Sequence, residues 1–175
     1  FNTVAEKQSA AMNRTNQTLF YGRRGTHTHF ALQDAMTQIE NGAGCALYPC
    51  GTAAITSAIL SFVKSGDHIL MVDTCYEPTR DFCNNILKNL GVETTYFSPT
   101  IGQEIEQYIR PNTKLIFLES PGSITMEVQD VPALSKIAHQ YDLIVMLDNT
   151  WAAGVNFEAL KHGVDISIQA ATKYI

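Results

Sequence analysis

Two residues carry most of the chemistry that the sequence offers. Lys173 follows an apolar block, Val164 to Ile168, and lies between Thr172 and Tyr174. A lysine is costly to bury as a cation, so at a strand end it is exposed, paired or used covalently. It reads as a surface lysine or as a Schiff-base lysine. Asp148 closes the most apolar block in the chain, Leu143 to Leu147. An ionised carboxylate there needs a partner. Backbone amides suffice if it only caps a loop; a cationic ligand nitrogen is the alternative. The two residues stand 25 positions apart on successive predicted strand ends. A Schiff-base lysine with an aspartate on a pyridinium nitrogen is the pairing expected for pyridoxal phosphate.

Other residues fit that pairing without requiring it. Gly51-Thr52 leads into a predicted helix directly after a predicted strand. Free amides at a helix N-terminus attract phosphate, and glycine allows close backbone approach; an ordinary strand-to-helix turn explains the same residues. The spacing is neither that of a Walker loop nor G-x-G-x-x-G. Tyr76 follows the His68 to Val72 block, where an aromatic either packs or stacks on a flat ring. Tyr21, Arg23 and Arg24 sit in a polar stretch that is a solvated loop or a phosphate-recognition element.

These residues need elements to position them. The pattern predicts helices over 28–39, with Thr28 as cap, and over 53–63. Further helices are expected from Glu77-Pro78 to Leu90, over 101–109, after Asp130 and over 157–162. Phe82, Ile86, Leu87 and Leu90 are the expected buried face of the third of these. Strands are predicted over 45–48, 68–72, 92–97, 114–119, 143–147 and 164–168. The strands are continuous apolar runs rather than polar–apolar stripes. That pattern belongs to an α/β fold, a three-layer mostly parallel sheet with helices on both faces. Ligands then bind beyond the carboxyl ends of the strands, where Lys173, Asp148 and Tyr76 fall. Residues 1–28 read as an extended polar arm and 29–175 as one large domain.

Composition narrows the classes. Of 175 residues, 45% are hydrophobic and 17% charged, which excludes a disordered chain. No apolar run approaches the roughly 18 residues of a membrane span. The net charge of −5 comes without a basic block, so neither nucleic acid nor an anionic membrane surface is an expected partner. Cys45, Cys50, Cys75 and Cys83 form no C-x-x-C pair and no metal-ligand pattern. They read as thiols of a cytoplasmic protein, and no metal site is expected. The first residue is Phe1 and the last apolar block stops at Ile175, so both ends are expected to be cut.

Five blocks of the chain resemble the γ-family of pyridoxal-phosphate enzymes of Cys and Met metabolism, and its bacterial β-lyase branch in particular. They are 20–26 (FYGRRGT), 48–54 (YPCGTAA), 118–128 (LESPGSITMEV), 148–154 (DNTWAAG) and 167–174 (SIQAATKY). The resemblance implies a truncated fold-type-I, aspartate-aminotransferase-like large domain. It implies that Lys173 forms the Schiff base and moves the proton. It assigns Asp148 to the pyridine nitrogen and Tyr76 to the ring face. The Gly51 and Thr52 amides and the Thr172 hydroxyl are assigned to the phosphate. Tyr21 and Arg23 match a pair that reaches a neighbouring subunit's phosphate, with Arg24 near the substrate.

The implied reaction is α,β-elimination on an amino-acid thioether such as cystathionine, in a homo-oligomer, a tetramer when full-length. Sibling γ-elimination or γ-replacement chemistry, and a non-catalytic fragment, remain alternatives. Two positions depart from the wider family. Ala170 stands where many members have a phosphate-binding Ser, and Ser123 lies near where many have an Asn at the ring hydroxyl. The family's substrate-carboxylate Arg lies beyond Ile175, so the isolated chain is expected to be inactive.

Overall fold

The computed structural model describes residues 1–14 and 18–175; residues 15–17 of the expected arm lie outside the described residues. The chain divides into two compact units, Phe1–Leu47 and Tyr48–Ile175.

The first unit holds helices α1 (Val4–Met12) and α2 (His27–Ile39), with a short 3-10 turn at Gly22–Arg24. The extended arm expected over 1–28 is therefore partly helical. Thr3 Oγ1 accepts from the Glu6 N–H (3.1 Å), and Glu6 Oε2 accepts from the Thr3 N–H (3.2 Å). This is a capping box, and its T-x-x-E signature is plain in the sequence. Thr26 rather than Thr28 caps α2. The strand expected over 45–48 does not form. Ala46, Leu47 and Tyr48 are exposed, and a four-residue apolar run with no strand beside it has no ladder to join.

The second unit is built on five parallel strands: β1 (His68–Val72), β2 (Glu93–Phe97), β3 (Thr113–Glu119), β4 (Ile144–Asp148) and β5 (Ile166–Ile168). Their order across the sheet is β2-β1-β3-β4-β5. The chain thus moves one way from β1 to β2 and the other way from β3 to β5. The reversal lies between β1 and β3, which is where an open parallel sheet leaves a ligand crevice at its carboxyl edge.

The centre of the sheet is fully buried, with Ile69–Val72, Leu115–Leu118 and Val145–Leu147 at or near zero exposure. Burial on both faces is why these strands are unbroken apolar runs. Helix α5 (Val131–Gln140) packs on β3 and β4, while α3 (Gly51–Leu60) packs on β5 and on α4 (Glu77–Asp81). The Asp130 side chain caps α5 by accepting from the Ala133 N–H (3.1 Å).

After α4 the chain winds as a π-helix, Phe82–Leu87. This overturns part of the expected buried face. Phe82, Cys83 and Leu87 are buried, but Ile86 and Leu90 are 56% and 51% exposed. The i→i+5 winding breaks the 3.6-residue spacing on which that face was expected.

Candidate active site

The site residues of the second unit gather at the carboxyl edge of the sheet. Asp148 is the last residue of β4 and pairs in register with Glu119, the last residue of β3. Asp148 is 8% exposed, and Oδ1 accepts from the Thr150 N–H (3.0 Å). Burial pushes its carboxyl above the ordinary aspartate range, while the backbone and hydroxyl of Thr150 and the charge of Lys173 pull it back. The charge of Lys173 thus acts on Asp148.

Lys173 lies on the turn after β5 and is exposed. Its Nζ reaches Thr172 Oγ1 (3.4 Å), and its backbone N–H donates to the Ala170 carbonyl (3.1 Å). The rings of Trp151 and Tyr174 lie beside each other, 5.5 Å between centroids.

Helix α3 begins two residues earlier than expected. Cys50 is its N-cap, its Sγ accepting from the Ala53 N–H (3.4 Å). Gly51 and Thr52 are thus the first two helical residues, and amides at those positions have no intrahelical acceptor. A Cβ on Gly51 would stand 2.8 Å from Ala170 Cβ, a separation that folded proteins do not tolerate. Glycine is required here because the start of α3 lies against the lysine-bearing turn.

Tyr76 caps α4 and is 43% exposed. Its backbone N–H donates to Glu119 Oε2 (2.7 Å), a bond that crosses the β1/β3 crevice. The sequence marks Glu119 as a strand-end residue beside Ser120-Pro121 but assigns it no role, although it closes an apolar block just as Asp148 does. Burial pushes its carboxyl up to about 8, the charge of Asp148 adds to this, and the Tyr76 amide opposes it. Two carboxylates at one sheet edge cannot both ionise cheaply. A cationic group bound beside them would make that ionisation cheaper. The signal for Glu119 was two successive strands ending in an acid; which acids become neighbours depends on register.

Tyr21 and Arg23 belong to the first unit. Both are exposed on the 3-10 turn, and the Arg23 guanidinium lies 5.0 Å over the Tyr21 ring. Arg24 ends the same turn. Among the described residues, no group of three or more His, Cys, Asp or Glu is placed to hold a metal ion. None of the described helices is long and apolar enough to cross a membrane.

The family model described as Cys/Met metabolism PLP-dependent enzyme matches residues 1–175. The chain belongs to this family. Among its curated relatives are "Cystathionine beta-lyase MetC" of Escherichia coli, 58% identical over 100% of this chain and 45% of the relative, and "Cystathionine beta-lyase" of Haemophilus influenzae, 56% identical with the same coverage. The chain thus spans about 45% of the length of these relatives. Among solved structures it is similar to that of metB from Corynebacterium glutamicum, with TM-score 0.87 and 27% identity over 91% of this chain and 41% of that one. It is also similar to a putative O-acetylhomoserine (thiol)-lyase (metY) from Campylobacter jejuni, with TM-score 0.86 and 29% identity over 95% of this chain and 42% of that one.

The family's cofactor is pyridoxal phosphate, and the residues present suit it. Phosphate suits the uncommitted amides at the start of a ten-residue helix. A protonated ring nitrogen suits the buried Asp148 carboxylate, whose burial otherwise raises its proton affinity. An amine that can condense with an aldehyde suits the exposed Lys173.

Proposed function

We propose that this chain is the cofactor-holding part of a carbon–sulfur β-lyase that cleaves cystathionine by α,β-elimination to homocysteine, pyruvate and ammonia. The observation that carries the reading is the meeting of Asp148, Lys173 and the open N-terminus of α3 at one edge of a parallel sheet. The substrate comes from relatives named as cystathionine beta-lyases at 56–58% identity along the whole chain. Turnover is proposed for the full-length enzyme rather than for these 175 residues alone.

Pyridoxal phosphate, when bound, supplies a sink for the negative charge that develops at the substrate's α-carbon. The protein's part is to place that sink and move the proton. Asp148 holds the proton on the ring nitrogen. Tyr76, fixed through its backbone by Glu119, covers a ring face and is a catalytic residue through that contact. The Gly51 and Thr52 amides and the Thr172 hydroxyl hold the phosphate. Lys173 is the covalent anchor and the base at the α-carbon. The metY structure from Campylobacter jejuni holds N'-pyridoxyl-lysine-5'-monophosphate, which supports a lysine anchor.

We further infer a homo-oligomer, a tetramer when full-length. Tyr21 and Arg23 reach a neighbouring copy's phosphate, and Arg24 lies near the substrate. Guanidinium groups suit phosphate by geometry and charge. We place the protein in the cytoplasm, in keeping with its four free thiols.

The test has two arms. Borohydride reduction of the full-length holoenzyme, followed by peptide mapping, should find the pyridoxyl group on Lys173. Cystathionine turnover should yield pyruvate. Formation of 2-oxobutyrate instead would move the assignment to γ-side chemistry, and label on another lysine would remove Lys173 from its role.

A further inference from the structure

Thr150 has no part in the roles above, yet it bonds two residues of the site. Its N–H donates to Asp148 Oδ1 (3.0 Å), and its hydroxyl lowers the proton affinity of the same carboxyl. The same Oγ1 accepts from the Ala170 N–H (2.9 Å). A hydroxyl has one proton and two lone pairs. Because the Ala170 amide uses a lone pair, the proton is free for Asp148. The Ala170 carbonyl then accepts from the Lys173 N–H. One hydrogen-bonded chain therefore runs from the Asp148 carboxylate through Thr150 and the Ala170 peptide to the Lys173 backbone.

The sheet explains why a side chain is needed there. Strands β4 and β5 pair up to Asp148 and Ile168, and their last backbone rung is Asn149 N–H to Ile168 O (2.8 Å). Two residues further on each strand come Thr150 and Ala170. There the backbones have parted, and the Thr150 hydroxyl takes the place of the next carbonyl. It keeps the two strand ends in step at the point where the sheet opens. Ala170 is also the residue that the start of α3 lies against at Gly51. The phosphate end, the lysine and the carboxylate are thus indexed to one another through this rung.

We propose that Thr150 is a positioning residue that sets the spacing between Asp148 and the Ala170–Lys173 turn, and so matches the site to the length of the cofactor. The inference rests on the cofactor reading above. A rung lost at Thr150 leaves the Ala170 amide unpaired and takes the hydroxyl's effect from Asp148, so both ends of the cofactor lose their register at once.

The experiment uses the full-length enzyme, with Thr150→Val to remove the hydroxyl at constant shape and Thr150→Ser to restore it. Apoenzyme is titrated with pyridoxal phosphate, following the visible absorption band, and each apo variant is melted to check folding. Thr150→Val should weaken cofactor binding about tenfold to a hundredfold and displace the visible band. Thr150→Ser should bind within about twofold of wild type. If Thr150→Val does not fold, Thr150→Ala carries the same comparison. Unchanged binding and spectrum in the hydroxyl-free variant would overturn the proposal, as would a Ser variant no better than Val. Wild-type apoenzyme that fails to take up pyridoxal phosphate would instead overturn the cofactor reading.

Discussion

The two edges of the parallel sheet both hold titratable side chains away from water, and they treat them in opposite ways. At the amino edge, His68 is fully buried at the start of β1. Its Nδ1 meets Thr113 Oγ1 and its Nε2 meets Thr95 Oγ1, each at 2.8 Å. Arg110 adds an N–H to Thr113 Oγ1 (2.8 Å), a guanidinium N–H to Thr95 Oγ1 (3.1 Å) and an ion pair with Glu93 (2.5 Å). Both ring nitrogens are satisfied by the protein itself. At the carboxyl edge, Glu119 and Asp148 converge, and both carboxyls are pushed up by burial. One edge is complete as folded; at the other, burial and mutual repulsion make it costly for both carboxyls to ionise, a cost that a cationic ligand would lower. The contrast is what separates a structural polar cluster from a binding site, since residue type alone does not.

The largest expected effect tests that division directly. Lys173→Ala in the full-length enzyme should lower turnover by about 10³-fold or more, because it removes the proposed anchor and base together. Lys173 is exposed, so the thermal midpoint of the apo form should stay nearly unchanged. His68→Leu should do the reverse. It strands hydroxyls on β2 and β3 and should cost about 2–3 kcal/mol in denaturant melts, while cofactor affinity of the folded protein stays as in wild type. A His68 variant that loses cofactor at full stability would break the comparison.

The two edges should also slope in opposite directions with pH. His68 is lowered to about 4, by burial first and then by the charge of Arg110. The unfolded chain binds the extra proton between about 4 and 6.5, so this contribution to stability is present above 6.5 and is lost as pH falls toward 4. Glu119 is raised to about 8. Here the folded state holds the extra proton, so the contribution is full below about 4.5 and is lost as pH rises through 8. Between 4.5 and 6.5 the two oppose each other; from 6.5 to 8 only the Glu119 slope remains. Urea melts of the apo form across that upper window should show stability falling by an amount on the order of a few kcal/mol. Glu119→Gln should flatten the slope, and so should bound cofactor, whose ring cation favours ionised carboxylates. An equal slope in the Gln variant would show that Glu119 is not the titrating group.

How much of this was legible in the sequence follows from the same contrast. The place of Lys173, Asp148 and Tyr76 at the carboxyl edge was legible because each follows an apolar block, and in a parallel sheet that local fact already sets the edge. The alternation of strands and helices was legible for the same reason. What depends on register was not. Glu119 gains its role from lying opposite Asp148 on β4 and reaching across to Tyr76 behind β1, which no local pattern encodes. Thr150 and Ala170 matter because two strand ends part between them. Ile86 is exposed where the chain winds as a π-helix, a local departure that a period of 3.6 read along the chain does not show. The capping box of α1 is a different case: its signal was local, and the polar composition of the stretch obscured it.

The smallest effect concerns the rim of the amino edge. Arg110 bonds the hydroxyls that His68 uses, and it also pairs with Glu93. The Glu93 side chain is 69% exposed, so its pair with Arg110 is screened by water and should contribute less than about 1 kcal/mol. Glu93→Gln should therefore shift the denaturant midpoint only slightly. Its effect on His68 has a definite sign. The Glu93 charge raises the His68 proton affinity while Arg110 lowers it. Removing the charge should push the His68 titration further down and shift the acid limb of the stability profile to lower pH. A large stability loss in this variant would mean that the amino edge depends on its surface ion pair rather than on the two buried hydroxyl contacts. The contrast with the carboxyl edge, where the cost of ionising both carboxyls is what remains, would then have to be withdrawn.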